Sequence, residues 1–234
     1  MGLNDFIIKI MKLQARFFRN YDRNIIHQLE VKAVNETVEY VSQKMQNAIG
    51  LKGDRNEMFD FALSKIKNEG NIIEFGVGGG YSINYIGKKL NGKQVYGFDT
   101  FEGLPEVWSG YFYDKSTYTQ YGKKPKVLDN VKLITGLFED TILKFKNSNN
   151  QQIAFLHIDC DIYSSTKTIF DLIGDRITDN TIILFDEYFG YPNWQNHEFK
   201  AFQEFIKSSG FSYEYLAFND SFGVCVKITN TDNL

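Results

Sequence analysis

Two short runs hold four carboxylates where they could act together. HIDCDIYSST, residues 157–166, holds Asp159 and Asp161, and FDEYFG, residues 185–190, holds Asp186 and Glu187. Each follows or ends a stretch rich in Ile, Leu and Phe that reads as a buried strand, so each acidic pair belongs to a strand end. Like charges in one crevice repel unless one is protonated or a cation stands among them. Oxygen donors without a CxxC or paired histidines favour a hard ion, Mg²⁺ first, with Mn²⁺ or Ca²⁺ as alternates. The competing reading is that Asp161 and Asp186 cap helices or face solvent. His157 reads as a satisfied histidine of a buried strand rather than a ligand.

A second constellation is NIIEFGVGGGYS, residues 71–82. Glycines at 76, 78, 79 and 80 permit a tight turn and close approach of a ligand to the backbone. The helix that follows offers free N–H groups. Asp99 comes 19 residues after Gly80, where a carboxylate can accept hydrogen bonds from both hydroxyls of a ribose. A dinucleotide fingerprint, GxGxxG, fails because Tyr81 stands at its third glycine. The looser ExGxGxG pattern of S-adenosylmethionine sites fits Glu74, Gly76, Gly78 and Gly80. A nicotinamide-dependent oxidoreductase and a non-catalytic nucleotide-binding module are the alternatives. The carboxylate cluster argues against both.

These residues need elements to position them. Strands are predicted at 71–75, 94–98, 131–134, 153–158 and 181–185, with helical or mixed segments near 80–90, 138–147, 164–174 and 197–208. Two further runs, 212–218 and 222–228, flank Asn219, Asp220 and Ser221, which read as a hairpin turn. The alternation predicts an α/β fold with a doubly wound, mostly parallel seven-stranded sheet closed by an antiparallel hairpin. Ligands of such sheets bind outside the carboxyl ends of the strands. Residues 1–50 read as helical, GLKGDRN at 50–56 as a break, and 56–68 as a further helix. The expected organisation is an N-terminal helical cap or oligomerisation segment, 1–55, and a catalytic domain, 56–234.

Composition narrows the partners. The chain has 234 residues, 43% of them hydrophobic, with 21 Phe and 14 Tyr, enough for a sizeable core. A net charge of −3 argues against nucleic acid. Cys160 and Cys225 lie far apart, which suits reduced thiols and a cytoplasmic location rather than zinc. The apolar run Phe6–Ile8 is too short for a signal core, and Phe6 spoils the MG start as a myristoylation signal. Residues 6–19 form a candidate basic amphipathic helix with Lys9, Lys12, Arg16 and Arg19, expected to pack on the body of the protein or on a second subunit rather than on a membrane. A homodimer or higher homo-oligomer is expected. The long segment Trp108–Lys126, with four tyrosines, reads as a lid or acceptor-binding loop, or as a surface loop packing its own aromatics. Trp194 and His197 could edge the acceptor pocket, and His197 is the reserve candidate for a general base.

EFGVGGGYS, GFDTFEGLPE, LITGLFEDT, LHIDCDIYSST and ILFDEY occur in this order, and together they resemble the macrocin O-methyltransferase family over residues 70–206. The family comprises metal-dependent methyltransferases of antibiotic sugars and related glycosides. The resemblance implies the class I methyltransferase fold and a sugar or glycosylated small molecule as acceptor. It implies Asp159, Asp186 and Glu187 as metal ligands, although the family commonly has aspartate where Glu187 stands, and Asp161 as the general base. It places Glu74, Gly76 and Ser82 at the methionine end of S-adenosylmethionine and Asp99 at the ribose. Residues 136–139, with Gly136, Phe138 and Glu139, fall at the adenine edge. The first 50 residues resemble the family poorly, so the acceptor does not carry over.

Overall fold

A computed structural model describes residues 6–12, 14, 23–110 and 114–231. Eight strands form one sheet: β1 (Ile49–Leu51), β2 (Asn71–Phe75), β3 (Val95–Asp99), β4 (Val131–Thr135), β5 (Ile153–Ile158), β6 (Ile182–Phe185), β7 (Phe211–Asn219) and β8 (Val224–Asn230). Their order is β1-β7-β8-β6-β5-β2-β3-β4. β8 runs antiparallel to β6 and β7, and every other pairing is parallel. The seven expected strands are present, and the doubly wound α/β architecture with its closing hairpin stands.

The count of seven is corrected to eight by β1, which pairs in parallel with β7. It falls at the edge of the stretch read as a break. Three residues, two of them exposed, leave no alternating pattern to detect. Tertiary context makes this strand, because the outer edge of β7 would otherwise present unpaired N–H and C=O groups. The expected cap segment 1–55 therefore contributes a strand to the sheet of the main domain.

β2, β5 and β6 are buried along their whole length, as central parallel strands are when both faces are covered. On one face, Ile72, Phe155 and Leu184 meet Met58 and Phe59 of α2 (Arg55–Ser64) and Ile83 of α3 (Tyr81–Lys89). The other face carries Phe75, Ile158 and Phe185 under α4 (Phe138–Ser148), α5 (Tyr163–Ile173) and α6 (Glu198–Ser209). Each such side chain contributes about 1.5–3 kcal/mol by leaving water. The long α1 (Ile25–Lys44) is capped by Asn24, whose side chain accepts from the Ile26 and His27 N–H groups. It joins the second layer through Ala33 and Tyr40. The Tyr40 hydroxyl meets that of Tyr215 at 2.6 Å, and its ring lies edge-on to Trp194 and Phe199.

Within the candidate basic helix, residues 6–12 are helical, whereas Arg16 and Arg19 lie outside the described residues. No described helix is long and apolar enough to cross a membrane.

Candidate active site

The parallel ladder runs one residue past the strand ends and sets the chemical residues side by side. The Gly76 N–H donates to the Phe98 carbonyl, that of Asp159 to Phe75, and that of Asp186 to Ile158, each at 2.9 Å. These ends open onto a cavity of about 680 Å³, within the range usual for small-molecule sites.

Gly76, Gly78, Ser82, Asp99, Phe138 and Glu139 line this cavity, and Glu74, Gly80 and Gly136 do not. Gly76 has φ +89, and a Cβ there would run into the Asp159 carbonyl, so this glycine lets two strand ends meet. Gly78 and Gly79 have open space where a Cβ would be, which leaves room for a ligand against the backbone. Asp99 pins the turn: one oxygen accepts from the Val77 and Gly78 N–H groups and the other from Phe101, all at 2.7 Å. A carboxylate has about four acceptor positions, so Asp99 keeps capacity for a ribose hydroxyl.

Glu74 stands behind the turn rather than in it. It is fully buried, with one oxygen accepting from Ser82 Oγ at 3.1 Å and the other 2.9 Å from His157 Nδ1. Glu74 and His157 are register partners on β2 and β5, so their side chains meet on one face. Burial works against the charged imidazole, but Asp186 and Glu74 outweigh it and raise its pKa to about 10.

The four carboxylates converge on the cavity wall. Ligand atoms of Asp159, Asp161 and Glu187 lie within 4.8 Å of one another, and so do those of His157, Asp159 and Asp186. The expected triad Asp159, Asp186 and Glu187 is thus divided between two groups that share Asp159. Consecutive residues past a strand project in different directions, which sends Asp186 toward His157 and Glu187 toward Asp161. His157, discounted as a ligand in the sequence, borders the second group, its Nε2 3.9 Å from Asp186 Oδ1. Burial together with the neighbouring acidic charges pushes Asp159, Asp161 and Glu187 upward. For Asp186 burial acts in the same sense, but His157 and Arg55 overcome it and hold the carboxyl below its usual range.

The donor set fits a hard divalent cation. It consists of carboxylate oxygens, and Glu187 Oε2 is buried without a hydrogen-bond partner among the described residues.

Two residues here were not singled out in the sequence. Arg55, at the start of α2, places Nη2 2.5 Å from Asp159 Oδ2 and 3.0 Å from Asp186 Oδ2. No sequence signal marks Arg55; in the fold the Phe59 ring, one turn further along α2, packs edge-on against His157 at 5.0 Å, and the Arg55 guanidinium lies 5.6 Å from the Phe59 centroid. Glu198, fully buried at the start of α6, accepts from the Cys160 and Asp161 N–H groups at 3.3 and 3.1 Å. It holds the turn in which Asp161 has φ +67, a left-handed conformation costly for a non-glycine residue. No sequence signal separates Glu198 from an ordinary helix-opening glutamate.

His197 does not line the cavity. Its Nε2 lies 2.7 Å from the Ser109 carbonyl, to which it must donate, and burial lowers its pKa. Trp108 and Trp194 are buried in the core rather than edging the acceptor pocket: Trp108 packs on Tyr191, and Trp194 on Tyr40 and Phe199. Of the four loop tyrosines, Tyr118 lines the cavity, Tyr121 faces solvent, and Tyr111 and Tyr113 lie outside the described residues.

Residues 73–188 match the family model of a methyltransferase domain. No curated protein matches the chain in sequence. Among solved structures, the O-methyltransferase NovP is similar with a TM-score of 0.59 and 17% identity, over 75% of this chain and 80% of NovP. CalS11, a calicheamicin methyltransferase, has a TM-score of 0.56 and 20% identity, over 88% of this chain and 92% of its own. MycE of the mycinamycin pathway, in complex with Mg, S-adenosylhomocysteine and mycinamycin VI, has a TM-score of 0.50 and 12% identity, over 75% of this chain and 49% of its own. The domain match spans the glycine turn and both acidic strand ends and sits on the class I fold, so residues 73–188 form a methyltransferase domain.

Proposed function

We propose that the protein transfers a methyl group from S-adenosylmethionine to a hydroxyl oxygen of a sugar or glycosylated small molecule, assisted by a divalent cation, in the manner of the macrocin O-methyltransferases it resembles. The observation that carries this reading is the acidic cluster on the wall of the cavity that also holds the glycine turn and Asp99. CalS11, described as a TDP-rhamnose 3'-O-methyltransferase, and MycE, in complex with Mg and mycinamycin VI, support it.

In this reading Gly78, Gly79 and Asp99 hold the donor, with Phe138 and Glu139 at its adenine edge. Asp159, which both acidic groups share, holds the cation, Mg²⁺ first, with Asp186 and Glu187 to either side of it. When bound, the donor supplies a methyl group already activated on a sulfonium, and the cation supplies a Lewis acid that lowers the pKa of the acceptor hydroxyl. Asp161, beside Asp159 and Glu187, takes the hydroxyl proton, and Glu198 keeps its turn in place. Asp161 lines the cavity and His197 does not, which favours Asp161 as the base. The exposed apolar side chains Ile25, Leu29, Val34 and Val38 on α1 support assembly with a second subunit.

The test is methyl transfer from labelled S-adenosylmethionine to a panel of nucleotide sugars, glycosides and catechols, with and without chelator. Transfer that stops with chelator while S-adenosylhomocysteine still binds is the expected result. Asp161→Asn should lower turnover by ~10²–10⁴ with the metal still bound. Chelator-resistant transfer would remove the cation from the reading, and a wild-type rate in the variant would remove Asp161 as base.

A further inference from the structure

Arg55 stands where the proposed cation needs to be. A single atom, Nη2, bridges Oδ2 of Asp159 and Oδ2 of Asp186, at 2.5 and 3.0 Å. The other oxygen of Asp186 faces the His157 imidazole. An ion that bridges Asp159 and Asp186 through their Oδ2 atoms therefore needs the oxygens that Arg55 already holds. Two cations cannot share that oxygen pair, because they would repel at contact distance.

The arrangement is built for exchange. The Arg55 side chain is 40% exposed on the cavity wall, and residues 52–54 before it belong to no helix or strand. Its guanidinium can swing outward on its own stem while Phe59, one turn further along α2, stays against His157. The rest of the seat is kept open. Glu187 is nine-tenths buried and lines the cavity, and its Oε2 has no hydrogen-bond partner among the described residues.

We propose that Arg55 is a resident counterion that holds the cation seat until a divalent ion displaces it, so that the guanidinium and the ion occupy Asp159 and Asp186 by turns. In the resting protein Arg55 relieves the repulsion among the carboxylates. On metal entry it leaves, and the apparent affinity for the ion is lowered by the fraction of molecules in which Arg55 is seated. This inference rests on the metal-assisted reading above.

The experiment is titration of Mn²⁺ into the full chain, followed by electron paramagnetic resonance of the free ion, for the wild type, Arg55→Gln and Arg55→Met. Met keeps an apolar stem against Phe59. Thermal melts establish that each variant is folded. Both variants should bind Mn²⁺ at least tenfold more tightly than the wild type. In parallel, the Arg55 Nε–H resonance of the wild type should broaden or shift as Mg²⁺ is added, which reads the displacement without any variant. Equal affinities together with an unmoved resonance would overturn the exchange and leave the metal reading standing. Binding in the variants with none in the wild type would make Arg55 a fixed replacement for the metal, and would also overturn it. An absence of binding in all three proteins would sink the metal reading and the exchange with it.

Discussion

Asp99 shows how one side chain can serve a fold and a ligand together. Its position after β3 suggested a ribose acceptor, yet its two oxygens already accept three backbone N–H groups from the turns on either side. The glycine turn is therefore shaped before any ligand arrives. Asp99→Asn should disturb it, because an amide nitrogen would face a backbone donor. We expect S-adenosylhomocysteine affinity to fall by about 1.5–3 kcal/mol, the usual worth of hydrogen bonds to a charged group, with a lower melting temperature. Calorimetry and a thermal melt check both. Unchanged affinity would take Asp99 out of the cofactor site.

At the level of elements, α2 has two working sides. One turn carries Arg55 and Phe59 toward the acidic strand ends. The neighbouring position, Asp60, turns to α3, where it meets Lys89 Nζ at 2.7 Å and the Tyr85 hydroxyl at 2.8 Å. The hydrogen bond from Lys89, followed by that from Tyr85, lowers the Asp60 pKa in the folded state against the upward push of burial. A carboxyl group with a depressed folded pKa contributes stability that is present above its unfolded pKa and lost as pH falls through the folded value. The pair is half exposed, so the effect is small. Asp60→Asn should lower Tm by about 1–3 °C at pH 7, with the difference from wild type disappearing once the pH falls below the lowered folded pKa of Asp60. A difference that persists in acid would assign the contact to packing rather than charge.

For the whole molecule, the N-terminal segment is part of the sheet and of the aromatic layer. β1 covers the edge of β7, and Tyr40 of α1 closes a chain of hydroxyls that runs through Tyr215 to Tyr188 and Tyr213. Deletion of residues 1–51 bares that edge and strips cover from Trp194 and Phe199. The truncated chain should be insoluble or lose most of its activity, as measured by recovery in the supernatant and by turnover. A soluble, fully active truncation would show that the sheet tolerates the open edge.

The sequence alone determined the α/β class, seven of the strands, the glycine turn and the four carboxylates. Each of these is written locally, in a buried apolar run, a breaker or an acidic pair directly after a strand. Parallel strands deliver their ends together, so position along the chain translates into position in the site. Tertiary structure alone decided β1, the burial of Trp108 and Trp194, and the removal of His197 from the cavity, because short edge strands and loop aromatics take their places from what they pack against. It also decided the division of the expected metal triad and the entry of Arg55 and Glu198. Arg55 lies 104 residues from Asp159 and Glu198 lies 37 from Asp161, and only the folding of α2 and α6 onto opposite faces of the sheet brings Arg55 to the Asp159 carboxylate and Glu198 to the backbone of the Asp161 turn.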